Sequence, residues 1–361
     1  MSTVKSILFP CSYPTNENIR DGMMSRIHAI DALVGHLPRI YLDIALTSSF
    51  FRRTCQKELV TVHFVNFITH LFFIISVVKS ASLIYLQSIY SARFIWPILL
   101  LSKKRVILDA HGIVPEEEKN FLRHKVKSCY YGWVEKIVFR KASVVVCVTH
   151  AMKEYFTQKY PSFQGKYVVY SNWPASISML KPESNDVVYP KNEKIEVLYS
   201  GGVNPWQNID LMMQAIAQKQ NPEIHYTILT NSVERINAYI GQYNIDNRVI
   251  DVASVAPEEL AQYYRKADYA FILRDDNPVN RVANPTKMVE YLFYGIVPIV
   301  LSPRIGDFEH LGYEYITLEQ FVASLQKPDQ KSRLNMNIAQ SIIDDNKAAD
   351  IKSMVLEMLN R

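Results

Sequence analysis

Cysteine is scarce: Cys11, Cys55, Cys129 and Cys147 are the four in 361 residues. They form no CxxC pair and no histidines cluster with them, which argues against a zinc site or a disulfide framework and fits a reducing compartment. Long apolar runs are missing as well. The N-terminus, MSTVKSILFPCSY, has no extended core of the kind a signal peptide carries. The most apolar stretch, FVNFITHLFFIISVV at 64–78, contains Asn66 and His70 and falls short of the roughly 20 residues that a membrane span needs. It is expected to be a buried helix, or one that grazes a membrane. The chain shows no internal repeat beyond a recurring strand–helix unit, and no low-complexity tract.

What remains is the composition of a globular protein, with 48% hydrophobic and 21% charged residues. The length favours two domains over one core. The net charge of +5 hides an asymmetry: residues 1–170 hold 22 Lys+Arg against 11 Asp+Glu, and the remainder holds 18 against 24. A basic first half suits an anionic partner, such as lipid headgroups or phosphates, unless it is simply a solvated surface. Nucleic acid is not expected, because no reading helix or aromatic platform accompanies the charge.

Strand-like and helix-like runs alternate from KSILFP to KYVVYSN, and again from IEVLYSGG to IVPIVLS. That pattern predicts α/β architecture with parallel sheets covered on both faces, in two doubly wound Rossmann-like domains facing across a cleft. The expected boundaries are 1–172 for the first domain and 195–344 for the second. A Pro-, Ser- and Asn-rich linker occupies 173–194, and a C-terminal helix over about 345–361 is expected to pack back on the first domain. Single helices are expected at 66–80, 119–141 and 333–359. Ligands of such sheets sit beyond the carboxyl ends of strands, beside helix N-termini.

The segment NPTKMVEYLFYGIVPIV, 284–300, is the most informative. Asn284 suits an N-cap, Pro285 the first helical position and Gly295 the C′ position. Lys287 and Glu290 share a face at i,i+3, which a surface ion pair would also explain. Yet Met288, Val289, Leu292 and Phe293 make the helix largely buried, and a glutamate there needs a partner. A carboxylate can accept two hydrogen bonds from vicinal hydroxyls such as those of a ribose.

This segment resembles the donor-binding helix of retaining GT-B glycosyltransferases (family 4-like), in the branch that builds bacterial cell-surface polysaccharides. The resemblance implies that Glu290 binds the ribose of a nucleotide sugar, with Pro285 and Thr286 at the phosphate-facing helix start. The family's earlier acid, eight residues before the glutamate, is replaced by Val282, and Asp275, Asp276 and Asn280 stand ready to compensate. VLYSGGVNPWQNIDLMMQAI resembles the opening of the family's second domain. The Arg and Lys that clasp the pyrophosphate there are absent, and Gly202 and Gln207 lie near their places. Lys287, Arg274 and Arg281 are the substitutes chosen, since a departing diphosphate needs positive charge or amide dipoles. Gly201–Gly202 is equally explained as a tight turn.

In the first domain, DAHGIVPEEE resembles the loop where the family often carries a histidine near donor sugar and acceptor, which makes His111 the catalytic-pocket residue. One of Glu116 to Glu118 would touch an acceptor hydroxyl, or all three form a solvated helix start. Gly22 resembles the family's phosphate-approaching glycine, and Arg26, one turn on, would face the cleft.

The resemblance implies transfer of a sugar, with UDP weakly favoured, to a hydroxyl of a lipid-linked glycan for capsule, O-antigen or lipopolysaccharide. No metal and no cofactor are expected, since the chain lacks the Asp-x-Asp triplet of metal-dependent transferases. The expected location is cytoplasmic, peripheral on the inner face of the membrane, with the basic first domain on anionic lipid. The alternatives are a catalytically silent binding or scaffold subunit, and an epimerase or phosphorylase of the same fold.

Overall fold

The computed structural model describes residues 5–15, 17, 22–173 and 193–360. The chain divides into two compact units: one holds the residues up to Ser171 and those from Asn346 onward, the other Asn172–Asp345. Of the stretch 173–194 read as a linker, residues 174–192 lie outside the described ones.

The first unit carries an 8-stranded sheet. Its strands are β1 (Ile7–Phe9), β2 (Arg39–Ala45), β3 (Arg53–Lys57), β4 (Val60–Asn66), β5 (Leu83–Gln87), β6 (Arg105–Ala110), β7 (Ala142–Cys147) and β8 (Lys166–Val169). They lie in the order β3-β4-β2-β1-β5-β6-β7-β8. All pairs are parallel except β3 with β4. The second unit carries a 6-stranded parallel sheet. Its strands are β9 (Ile195–Ser200), β10 (Ile224–Leu229), β11 (Ile250–Ala253), β12 (Tyr269–Ile272), β13 (Val297–Val300) and β14 (Ile316–Thr317), in the order β11-β10-β9-β12-β13-β14.

The continuous apolar runs form the central strands because both sheet faces are covered, leaving β1, β5, β12 and β13 buried throughout. The helix Ile351–Asn360 sets Ile351, Met354, Val355 and Met358 into the same core as Ile7, Phe9 and Tyr41. Strand order reverses beside β1, between β2 and β5, and beside β9, between β10 and β12. At such points successive connections diverge to opposite faces and leave a crevice beyond the strands' carboxyl ends.

Several expected elements are shorter or broken. The helix expected from 66 begins at Leu71, because the Asn66 side chain accepts hydrogen bonds from the Ile68 and Thr69 amides and holds a turn there. The expected 119–141 helix is two, Val114–Asn120 and Lys125–Lys141, separated by Arg123 at φ 54°. The expected 333–359 helix is also two, Arg333–Ala349 and Ile351–Asn360. Asp350, at φ 36°, breaks it and accepts from the Ser353 amide. Strand β3 escaped the pattern because all five of its residues are exposed. In the second unit, the short helix Thr286–Phe293 is capped by Pro285, not Asn284, since Pro285 itself keeps an extended ψ of 121°.

Gly295 closes that helix at φ +65°. The amides of Gly295 and Ile296 bond the carbonyls of Leu292 and Tyr291, the paired contacts of a Schellman motif. A Cβ there would lie 2.8 Å from Met336 Cε and 2.9 Å from Lys331 Cβ. Gly295→Ala is expected to destabilise the protein by about 1–3 kcal/mol through strain and crowding; an unchanged melting temperature would contradict this.

Candidate functional site

In the second unit, Gly201–Gly202 follow β9 directly and Leu273–Arg274 follow β12, so the strand-order reversal itself brings the glycine turn and the arginine to neighbouring strand ends. The Tyr199 hydroxyl bonds the Gly202 carbonyl, and a Cβ on Gly201 would stand 3.0 Å from that hydroxyl. Burial pushes the Tyr199 phenol up, while Arg274 and Lys287 both act to lower it. Both cations thus act through space on the tyrosine that supports the glycine turn.

Among the described residues, no carboxylate is in ion-pair contact with Arg274. Its Nε is buried without a hydrogen-bond partner, and Nη1 reaches only the Trp206 carbonyl, at 3.5 Å. Burial pushes the guanidinium down to about 10, so it stays charged at neutral pH. The adjacent Asp275 is turned to Asn208, whose Nδ2 lies 3.1 Å from Oδ1. A desolvated guanidinium with no carboxylate against it is costly, and an anion relieves that cost.

Glu290 is 4% exposed, on the helix face turned inward. Its Oε2 meets Lys287 Nζ at 2.7 Å and accepts from the Tyr264 hydroxyl at 2.9 Å. Lys287 Nζ also donates to that hydroxyl, at 2.9 Å, and Ser200 Oγ lies 3.2 Å from it. Burial, then Glu290, drives the Tyr264 phenol well above its ordinary value, so it remains a proton donor. The i,i+3 pair does form, but around a buried carboxylate rather than a surface one. Oε1 has no partner among the described residues and keeps its capacity to accept.

Thr286 opens the helix beside the Pro285 cap. Asp276, Arg281 and Arg304 form an exposed ion-pair network, with Arg281 Nε 2.6 Å from Asp276 Oδ1, so the charge of Arg281 is already matched. Asn280 is buried and donates to the Asp275 carbonyl, which fixes the loop after β12.

The remaining candidates lie in the first unit. Gly22 opens the helix Gly22–Leu33. Arg26, expected to face the cleft, forks its guanidinium onto Asp109, with Nε 2.9 Å and Nη2 2.7 Å from Oδ1, because Asp109 is fully buried and needs a counter-charge. Burial raises the Asp109 carboxyl, but Arg26 and then His111 outweigh it and hold it well below the usual range. His111 follows β6, with Nε2 2.8 Å from Gln87 Oε1. His111 Nδ1 and Gln87 Nε2 are buried without partners, so two polar atoms at adjacent strand ends are left open. Glu116 is bonded to Tyr155 and Lys159, and Glu118 to Tyr90 and His124. Glu117 instead packs onto Gly112, where a Cβ would fall 1.8 Å from Oε1. Among the described residues no group of three or more His, Cys, Asp or Glu could hold a metal ion.

Sequence reasoning missed Tyr264, Ser200 and Gln87. The need for a partner to Glu290 was the one available signal, and it did not point to a tyrosine.

No family model matches the sequence, and no curated protein does. Solved structures match over the whole chain. Sucrose-phosphate synthase from Thermosynechococcus elongatus superposes with a TM-score of 0.64 at 13% identity, covering 99% of this chain and 98% of that one. α,α-Trehalose 6-phosphate synthase from Burkholderia multivorans gives 0.66 at 10%, over 99% and 98%. HepE from Anabaena, solved with UDP and glucose, gives 0.60 at 14%, over 96% and 98%. At these identities the likeness is one of fold, and the fold is GT-B.

Burial, then Glu116 and Glu118, raises the Glu117 carboxyl from 4.5 to about 7. A raised carboxyl favours folding while protonated. That contribution is complete below pH 4.5 and is lost as pH climbs through 7. Glu117→Gln should therefore stabilise the protein at pH 8 relative to pH 4, by about 1–3 kcal/mol. Equal denaturation midpoints for variant and parent at both pH values would contradict this.

Proposed function

We propose that the chain is a metal-independent glycosyltransferase. It moves a sugar from a nucleotide-sugar donor, with retention, to a hydroxyl of a lipid-linked glycan in cell-surface polysaccharide synthesis. The observation that carries the reading is Arg274, whose Nε is buried without a hydrogen-bond partner at the end of the strand next to the Gly201–Gly202 turn. A diphosphate supplies the missing counter-charge, and Arg274 and Lys287 stabilise it as it leaves. Glu290 Oε1 accepts from the ribose hydroxyls, while Tyr264 and Lys287 fix the carboxylate through Oε2. The solved structure of HepE with UDP and glucose supports UDP as the carrier.

In the proposed route no protein carboxylate attacks. The departing phosphate takes the acceptor's proton on the same face as an oxocarbenium-like sugar forms, and the protein orients both partners. His111, with Nδ1 open, is assigned to the sugar and acceptor. The basic first half supports a position on the inner face of the cytoplasmic membrane, on anionic lipid, where a lipid-linked acceptor would be met. No described helix is long and apolar enough to cross a membrane.

A second reading, a binding or scaffold subunit without turnover, draws support from the closed Lys287–Glu290–Tyr264 contact, which satisfies that lysine without any ligand.

A thermal-shift screen of nucleoside diphosphates tests the proposal. One of them, UDP first, should raise the melting temperature, and Glu290→Ala should remove most of the gain. Turnover of the matching nucleotide sugar with a lipid-linked acceptor separates enzyme from scaffold. If no nucleotide shifts the transition, the reading fails.

A further inference from the structure

Large apolar side chains left in water are concentrated in the first unit. Phe51 is 89% exposed, Phe72 87%, Ile68 73% and Phe50 56%. They come from two places in the sequence, the loop after β2 and the turn into the helix Leu71–Ser80. The fold sets those places side by side, because β2 and β4 are parallel neighbours with Ala45 opposite Asn66, and both loops leave the same end of the sheet. Asn66 fastens one to the other: its Nδ2 donates to the Leu46 and Ser48 carbonyls at 2.8 and 3.0 Å, and its Oδ1 accepts from the amides of Ile68 and Thr69. The exposed aromatics therefore ride on a fixed turn.

Cations border this face. The Arg52 guanidinium lies 4.1 Å over the Phe73 ring and that of Arg53 lies 5.2 Å over Phe64. Among the described residues no carboxylate is in ion-pair contact with either arginine, so both retain their charge for an outside partner. Aromatics backed by arginines have the composition of a segment that lies in a lipid interface. A two-fold contact with a second copy through this face would double its unpaired arginine charge at the seam, which like-charge repulsion opposes.

We propose that the face formed by Leu46, Phe50, Phe51, Ile68, Leu71 and Phe72 enters the headgroup region of an anionic bilayer, with Arg52 and Arg53 on the lipid phosphates. This deepens the membrane part of the proposed function and rests on it. It adds an apolar anchor to a purely electrostatic attachment. Salt screens charge but not apolar burial, so part of the binding survives at high ionic strength.

The test is co-sedimentation of the full chain with vesicles of phosphatidylcholine, with and without phosphatidylglycerol, at low and high salt. The parent should bind the phosphatidylglycerol vesicles and keep a salt-resistant fraction. Phe51→Ser with Phe72→Ser should lower partitioning at least tenfold and abolish that fraction. Arg52→Gln with Arg53→Gln should remove the preference for anionic lipid. Melting temperature and the shift with UDP should match the parent in both variants, so a failed anchor is told apart from a failed nucleotide site. Phenylalanine variants that bind vesicles like the parent would overturn the proposal. So would a parent that ignores vesicles, or one that forms a dimer which the phenylalanine changes dissolve without affecting vesicle binding.

Discussion

A guanidinium half out of water with no carboxylate against it is an unsettled charge, and Arg274 is held in that condition at the end of β12. The sheet decides its place: reversal of strand order at β9 and β12 puts the arginine next to the glycine turn. The neighbouring acid relieves it only in part: Asp275 acts on it through space, but its carboxylate is turned to Asn208. Arg26, by contrast, is matched by its fork on Asp109. In the proposed function a diphosphate supplies the counter-charge that Arg274 lacks.

Glu290 is a carboxylate held inside a packed helix. Its helix is buried because Met288, Val289, Tyr291 and Leu292 fill the core around β12 and β13. A carboxylate on such a helix must be met by donors, and Tyr264 and Lys287 meet only Oε2. The same arrangement makes the carboxylate rigid, since Tyr264 and Tyr291 both bond to Ser200, at the end of β9. A rigid acceptor aimed by three elements suits a ligand whose hydroxyls need fixed spacing. His111 and Gln87 repeat the logic in the first unit, where Asp109 and Arg26 form a charge-balanced support beneath two polar atoms that remain open.

The alternation of strands and helices could be read from the sequence because parallel strands buried on both faces write themselves as unbroken apolar runs. What escaped was written in other terms. Strand β3 has no buried face to impose a period. Arg123 and Asp350 break helices in left-handed conformations that glycine usually announces. In the site, Glu290 stood out as an acid in an apolar helix, and Arg274 as a cation after a strand. Tyr264 did not, because a tyrosine in an amphipathic helix looks like core. The pairing of Arg26 with Asp109 was not legible, since the two lie 83 residues apart and only the folded sheet brings them together.

The most direct test is a calorimetric comparison of UDP, UMP and uridine binding to the parent and to Arg274→Gln. If Arg274 is the diphosphate's counter-charge, the parent loses affinity with each phosphate removed, and the gap between UDP and uridine shrinks by about tenfold or more in the variant. A gap of the same size in both proteins would show that the arginine does not hold the phosphates, and the account of this site would be wrong.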